Sequence, residues 1–161
     1  LLGGITVSCQ RDGGAPIARS SRWPEAIRLV VATPDLGLHT AHARRVLPAE
    51  VPLADAIFNL QRALLMLHAL RSGRYEDLRE AMKDRWHQPA RSDLVPGLAE
   101  AIAFDDPAIL GVCLSGAGPS IVALVTDGAA QATTLFEDLY QRLGLPCTIR
   151  TLSAHQPFDS P

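Results

Sequence analysis

Three stretches of the 161-residue sequence combine side-chain types and spacings suited to holding an anionic small molecule. In Asp35-Leu36-Gly37-Leu38-His39-Thr40-Ala41-His42-Ala43-Arg44 a loop enters a helix near Thr40, and Arg44 follows one turn later. Helical side chains lean toward the N-terminus, so Arg44 can reach back to the end where Thr40 lies. That end also carries free backbone N–H groups and the positive pole of the helix. A hydroxyl, a guanidinium and a helix N-terminus together suit a carboxylate or a phosphate. The same residues also fit a Thr cap beside a solvated Arg.

The second stretch, Arg85-Trp86-His87-Gln88-Pro89-Ala90-Arg91, gathers titratable and amide groups around Pro89, which is expected to end a helix there. Loops held by helices often carry binding residues, although His87 also reads as a structural histidine and Trp86 as core. The third, Ser115-Gly116-Ala117-Gly118-Pro119-Ser120, lies between two apolar runs. Its glycines let backbone N–H groups face an anion without an intervening side chain, and a tight hairpin turn needs glycine as well. It lacks the Lys of a phosphate-binding Walker loop, and no helix follows it directly. His39 and His42 share a helical spacing without a third ligand, so no metal site is expected.

These stretches must be positioned by ordinary elements. Ile5–Cys9 and Pro16–Ser20 read as a hairpin around Arg11-Asp12-Gly13-Gly14, and Arg28–Thr33 as a strand ended by Pro34-Asp35. A short helix runs from about Thr40 to Val46. A longer one begins near Pro52 and stops at Ser72-Gly73. Its Leu53, Ile57, Leu60, Leu64 and Leu67 recur at helical spacing, which predicts a well-buried helix packed against a sheet. Further helices are expected over Tyr75–Asp84 and between Pro96 and Phe104. Strands Gly111–Ser115 and Ser120–Val125, a helix over Ala129–Leu143 and a last strand Thr148–Leu152 complete the order. Strands and helices are segregated rather than alternating, so the class is α+β. Residues 1–153 read as one domain and 154–161 as a frayed tail.

Composition narrows the function. The chain is 47% apolar and 20% charged, with a formal net charge of −2, which suits a folded core and gives no reason to expect nucleic acid or a membrane as partner. No apolar run is long enough to span a bilayer. Cys9, Cys113 and Cys147 are far apart among apolar neighbours, as expected of reduced, buried thiols in a cytoplasmic protein. Leu1-Leu2-Gly3-Gly4-Ile5 has no initiator Met and reads as mid-chain sequence, so a fragment is expected.

Taken together, Thr40-Ala41-His42-Ala43-Arg44 with Leu47-Pro48, Asp84–Arg91, and Leu114–Ser120 resemble, in this order, segments of the bacterial homoserine kinases of the GHMP kinase superfamily. The resemblance spans nearly the whole chain. It implies a ferredoxin-like C-terminal domain, an antiparallel sheet with helices on one face. It further implies that Thr40, Arg44 and Arg91 hold homoserine, with the arginines on its carboxylate. Ser115, Gly116, Ala117 and Gly118 would form the third superfamily motif beside the nucleotide phosphates, with Asp84 and His87 in support. The superfamily's Pro-x-x-x-Gly-Leu-Gly-Ser-Ser-Ala type loop and its Mg²⁺ carboxylate are missing from the sequence, so the main ligands of ATP and Mg²⁺ are expected outside it. No general base is assigned within the chain, and a homodimer is allowed for. Another GHMP kinase with a different acceptor, and a non-catalytic ligand-binding or regulatory module, are the alternatives.

Overall fold

A computed structural model describes residues 3–38 and 40–157; Leu1, Leu2, His39 and residues 158–161 lie outside the described residues. Strands β1 (Ile5–Arg11) and β2 (Gly14–Ser21) pair only with each other, Ile5 opposite Ser21 and Cys9 opposite Ile17. Apart from Ile5 and Ala18, every side chain on the two strands is exposed. Cys9 is therefore exposed too, against expectation, because among the described residues no further strand pairs with its hairpin and its outer face is open.

The main sheet has the order β4-β5-β3-β6, from β3 (Arg28–Pro34), β4 (Ile109–Leu114), β5 (Ile121–Val125) and β6 (Cys147–Leu152), with every pair antiparallel. Between β3 and β4 lie α1 (Thr40–Arg45), α2 (Leu53–Ser72), α3 (Leu78–Ala81), α4 (His87–Arg91) and α5 (Leu98–Ile102); α6 (Ala129–Arg142) joins β5 to β6. A helical crossover, a tight hairpin and a second helical crossover give the ferredoxin-like order, so the α+β reading holds.

Strand alternation sorts the apolar side chains onto two faces. Val30, Ala32, Val112, Ile121 and Ala123 meet Leu98 of α5 and Phe136, Leu139 and Tyr140 of α6. From the opposite face Leu29, Leu110, Cys113, Val122 and Leu124 meet Ala69, Leu70, Leu78 and Met82. The helices thus take both faces rather than one, because the C-terminal end of α2 and α3 cap the far side. Gly73, with φ of 77°, ends α2 in the left-handed conformation where glycine is favoured.

The rest of α2 departs from the sequence reading. Leu53, Leu60 and Leu64 are 76%, 61% and 60% exposed, and Ile57 is exposed as well. Periodicity tells which stripe of a helix is apolar and not whether a layer lies against it. Here the helix turns Met66, Ala69 and Leu70 to the body of the domain and leaves the stronger stripe outward.

The tail is tied down as far as the structure describes it. Gly4 N–H donates to the His155 carbonyl at 2.6 Å. The Gln156 amide bridges Trp23, accepting from its N–H at 2.9 Å and donating to its carbonyl at 3.0 Å. Residues 154–157 are therefore not frayed, since their polar groups close against the start of the chain. No helix among the described residues is long and apolar enough to cross a membrane.

Candidate functional site

Asp84 organises the second motif. Its Oδ1 accepts the Trp86 N–H at 2.8 Å and the Asn59 side-chain amide, and its Oδ2 accepts the Gln88 N–H. These bonds satisfy N–H groups that the start of α4 would otherwise leave free. Burial pushes the Asp84 carboxyl up, but the N–H groups of Gln88 and Trp86, the Asn59 amide and nearby His87 outweigh it, and the net shift is downward. His87 Nδ1 lies 3.6 Å from Asp84 Oδ1, and its ring stacks on Trp86 with centroids 4.6 Å apart. Trp86 is only half-buried rather than core, and its Nε1 is a buried donor without a partner among the described residues.

Pro89 does not end a helix. It is the third residue of α4, in the first turn, where an N–H has no intrahelical partner and proline costs little. Helix α4 therefore continues to Arg91, which is 7% exposed and donates from Nε to the Ala43 carbonyl at 3.0 Å. No other hydrogen bond of its guanidinium is present among the described residues, so both Nη groups are without a protein acceptor there. Arg44, adjacent to that carbonyl, is exposed, as is Thr40 at the first position of α1. The helix is only six residues long, which weakens the part of the anion argument that rests on its pole.

The third motif is a tight connection between β4 and β5. Ser115 N–H donates to the Ser120 carbonyl at 2.8 Å and Gly118 N–H to the Ser115 carbonyl at 3.0 Å. The N–H groups of Gly116 and Ala117 find no acceptor among the described residues. Gly116 has φ of 60° with nothing near its missing Cβ, whereas a Cβ on Gly118 would stand 3.1 Å from Val95 and 3.2 Å from Leu114. Leu38, two residues before Thr40, lies 3.5 Å from that same point, so the entrance to α1 packs on the turn.

The side chain that links these parts lies in the second stretch but carries no assigned role in the sequence analysis. Gln88 is 8% exposed; its Oε1 accepts the Leu114 N–H at 2.8 Å and its Nε2 donates to the Met82 carbonyl at 3.1 Å. Its only sequence signal is an amide set among titratable residues. Asn59 was missed likewise: besides holding Asp84 it accepts the Arg85 N–H at 3.0 Å. Asp84, Trp86 and His87 line a groove of about 820 Å³ between β1 and α2, while Thr40, Arg44 and Arg91 lie away from it. Among the described residues no group of three His, Cys, Asp or Glu converges to hold a metal ion.

Comparison with known proteins bears on the family and the fold. Residues 66–135 match the family described as "GHMP kinases C terminal". The chain is 45% identical over 128 residues to a homoserine kinase of Aquifex aeolicus, covering 79% of this chain and 43% of that protein. To a homoserine kinase of Solibacter usitatus it is 41% identical over 143 residues, covering 89% of this chain and 47% of that protein. The solved homoserine kinase of Cytophaga hutchinsonii superposes with a TM-score of 0.79 at 23% identity, over 88% of this chain and 46% of that one, a likeness of fold. The chain carries a GHMP kinase C-terminal domain. Within that class it belongs to the homoserine kinase family, and it spans about half the length of the curated relatives it matches.

Proposed function

We propose that this chain is the acceptor-binding part of a homoserine kinase. The whole enzyme would move the γ-phosphoryl group of ATP onto the side-chain hydroxyl of homoserine, in threonine biosynthesis in the cytoplasm. The observation that carries this reading is the path from α1 through α4 to the β4–β5 turn. Arg91 is bonded to the backbone beside Arg44, and the same short helix is bonded through Gln88 to the residue before Ser115. In this reading Thr40, Arg44 and the unbonded Nη groups of Arg91 hold the amino acid, two guanidinium groups facing one carboxylate. The free N–H groups of Gly116 and Ala117 face the transferring phosphate, where fixed donors act on developing charge. Asp84 and His87 support α4 rather than touch substrate.

In the reaction the homoserine oxygen forms a bond to phosphorus, the bond from phosphorus to the ADP oxygen breaks, and the hydroxyl proton is released. The residues of this chain bind and orient the acceptor, a contribution that in phosphoryl transfer amounts to much of catalysis. The Mg²⁺ ligands and the main nucleotide loop are assigned to the rest of the protein, and the homodimer remains part of the same reading.

The test is a coupled assay of the full-length protein with ATP, Mg²⁺ and homoserine, repeated with mevalonate and galactose as acceptors. Phosphorylation of homoserine alone supports the reading. Turnover with another acceptor and none with homoserine refutes it. The 161-residue chain by itself should be inactive, and turnover by it would show that the nucleotide site has been misplaced.

A further inference from the structure

We infer that Gln88 is a positioning residue, a single buried amide that sets the distance between the Ser115–Ser120 turn and the arginine end of α4. The inference rests on the homoserine kinase reading and adds to it a residue that touches neither substrate.

Three residues anchor α4: Asp84, Gln88 and Arg91. Asp84 caps its start from below, with Asn59 of α2 behind it. Arg91 at its end grips the Ala43 carbonyl of α1. Among the described residues only Gln88 hydrogen-bonds from α4 to the sheet, accepting the N–H of Leu114, the last residue of β4 before the turn. Its other end is held by the Met82 carbonyl, so the amide can shift neither way without leaving a buried partner unpaired. Leu114 itself leans on Gly118, as the 3.2 Å approach to the missing Cβ shows. The hydrogen bonding that fixes the turn relative to α4 is thus carried, among the described residues, by one side chain whose two functional groups are both engaged.

Phosphoryl transfer depends on alignment of acceptor oxygen and phosphorus, and a displacement of about 1 Å can cost roughly 100-fold in rate. If Gln88 sets this spacing, its loss should misalign a bound acceptor while leaving the acceptor's own contacts in place. Transfer to homoserine then slows more than its binding, and water competes for the phosphoryl group.

The experiment compares Gln88→Met with Gln156→Met in the full-length enzyme. Gln156 is the control, a half-buried amide that also makes two backbone hydrogen bonds, to Trp23, and none to α4 or the turn among the described residues. At saturating substrates, with folding verified by near-ultraviolet circular dichroism, Gln88→Met should lower kcat roughly 10- to 100-fold. It should also release more than one ADP per O-phosphohomoserine formed, with the homoserine KM within about threefold. Gln156→Met should keep kcat within about twofold and a ratio of one. A Gln88→Met enzyme with unchanged kcat and a ratio of one overturns the inference. So do parallel losses in both variants that follow their melting temperatures with the ratio still at one. Should Gln88→Met not fold, Gln88→Leu, which likewise removes the acceptor for the Leu114 N–H, decides by the same ratio. A wild-type enzyme that does not phosphorylate homoserine refutes the underlying reading instead, a result distinct from any of these.

Discussion

The guanidinium of Arg91 and the backbone of Ala43 meet at 3.0 Å inside the protein, joining residues 48 positions apart in the chain. The bond makes Arg91 part of the architecture as well as of the proposed carboxylate site, whereas Arg44, one residue beyond that carbonyl, stands in solvent. The two arginines should therefore respond differently to removal. Arg91→Ala should lower the unfolding free energy by about 1.5–3 kcal/mol, the usual worth of a charged hydrogen bond. Arg44→Ala should stay within about 0.5 kcal/mol. Both should raise the homoserine KM of the full-length enzyme by roughly one to two decades with the ATP KM nearly constant. Denaturant titration and steady-state kinetics check this, and an unchanged homoserine KM in both variants would remove them from the site.

The capping carboxylate gives a pH signature. The Asp84 pKa lies below its ordinary 3.8 in the folded protein, so its ionised form favours folding above that value. The contribution is full above the unfolded pKa and is lost as pH falls through the lower, folded one. Asp84→Asn should melt lower than wild type near neutral pH, and the gap should close below about pH 3.8. Asp84→Ala should cost about 0.5–2 kcal/mol at pH 7, as loss of a helix cap does. A gap that is constant from pH 7 to pH 2.5 would contradict the assignment.

The two turn glycines separate packing from chemistry. A methyl at Gly118 meets Val95 and Leu114 and also has to adopt φ of 85°, so Gly118→Ala should cost about 1–3 kcal/mol of stability. At Gly116 the space is open and the backbone strain, about 1–2 kcal/mol, is the whole penalty. Gly116→Ala is hence the cleaner probe of phosphate approach. It should remain folded by circular dichroism while turnover falls by about tenfold or more, and Gly118→Val, which crowds two side chains, would confuse the two effects.

The outward stripe of α2 predicts an unusual mutational pattern. In the 161-residue chain, Leu60→Ser and Leu64→Ser should each change the unfolding free energy by less than about 0.5 kcal/mol. Leu70→Ala, in the buried cluster at the end of the same helix, should cost about 2–5 kcal/mol. Equal losses at positions 60 and 70 in urea titrations would show that the stripe is covered.

Much of the fold could be read from the sequence because local signals agreed with tertiary ones. Gly13 at the hairpin turn, Gly73 after α2 and the apolar runs of β4 and β5 all lie where turn chemistry and periodicity place them. The failures share a cause. In sequence Pro89 reads as a stop, but its effect depends on whether it falls in the first turn of a helix, and Asp84 decides that from three residues upstream of α4. The stripe of α2 was assigned to the core because amphipathicity does not name its partner. Gln88 and Asn59 carry no periodic signal, since the worth of a buried amide lies in the distant backbone groups it bonds.

The bond between Gly4 and His155 has a kinetic side. It and the Gln156 clasp on Trp23 connect points at nearly opposite ends of the described chain, so forming them closes a loop of almost the whole sequence. Such closure is entropically the most demanding and waits on everything between. The hairpin and its tail should be the last region to gain amide protection during refolding and the first to exchange during native-state opening, whereas β3, β5 and α6 hold theirs to global unfolding.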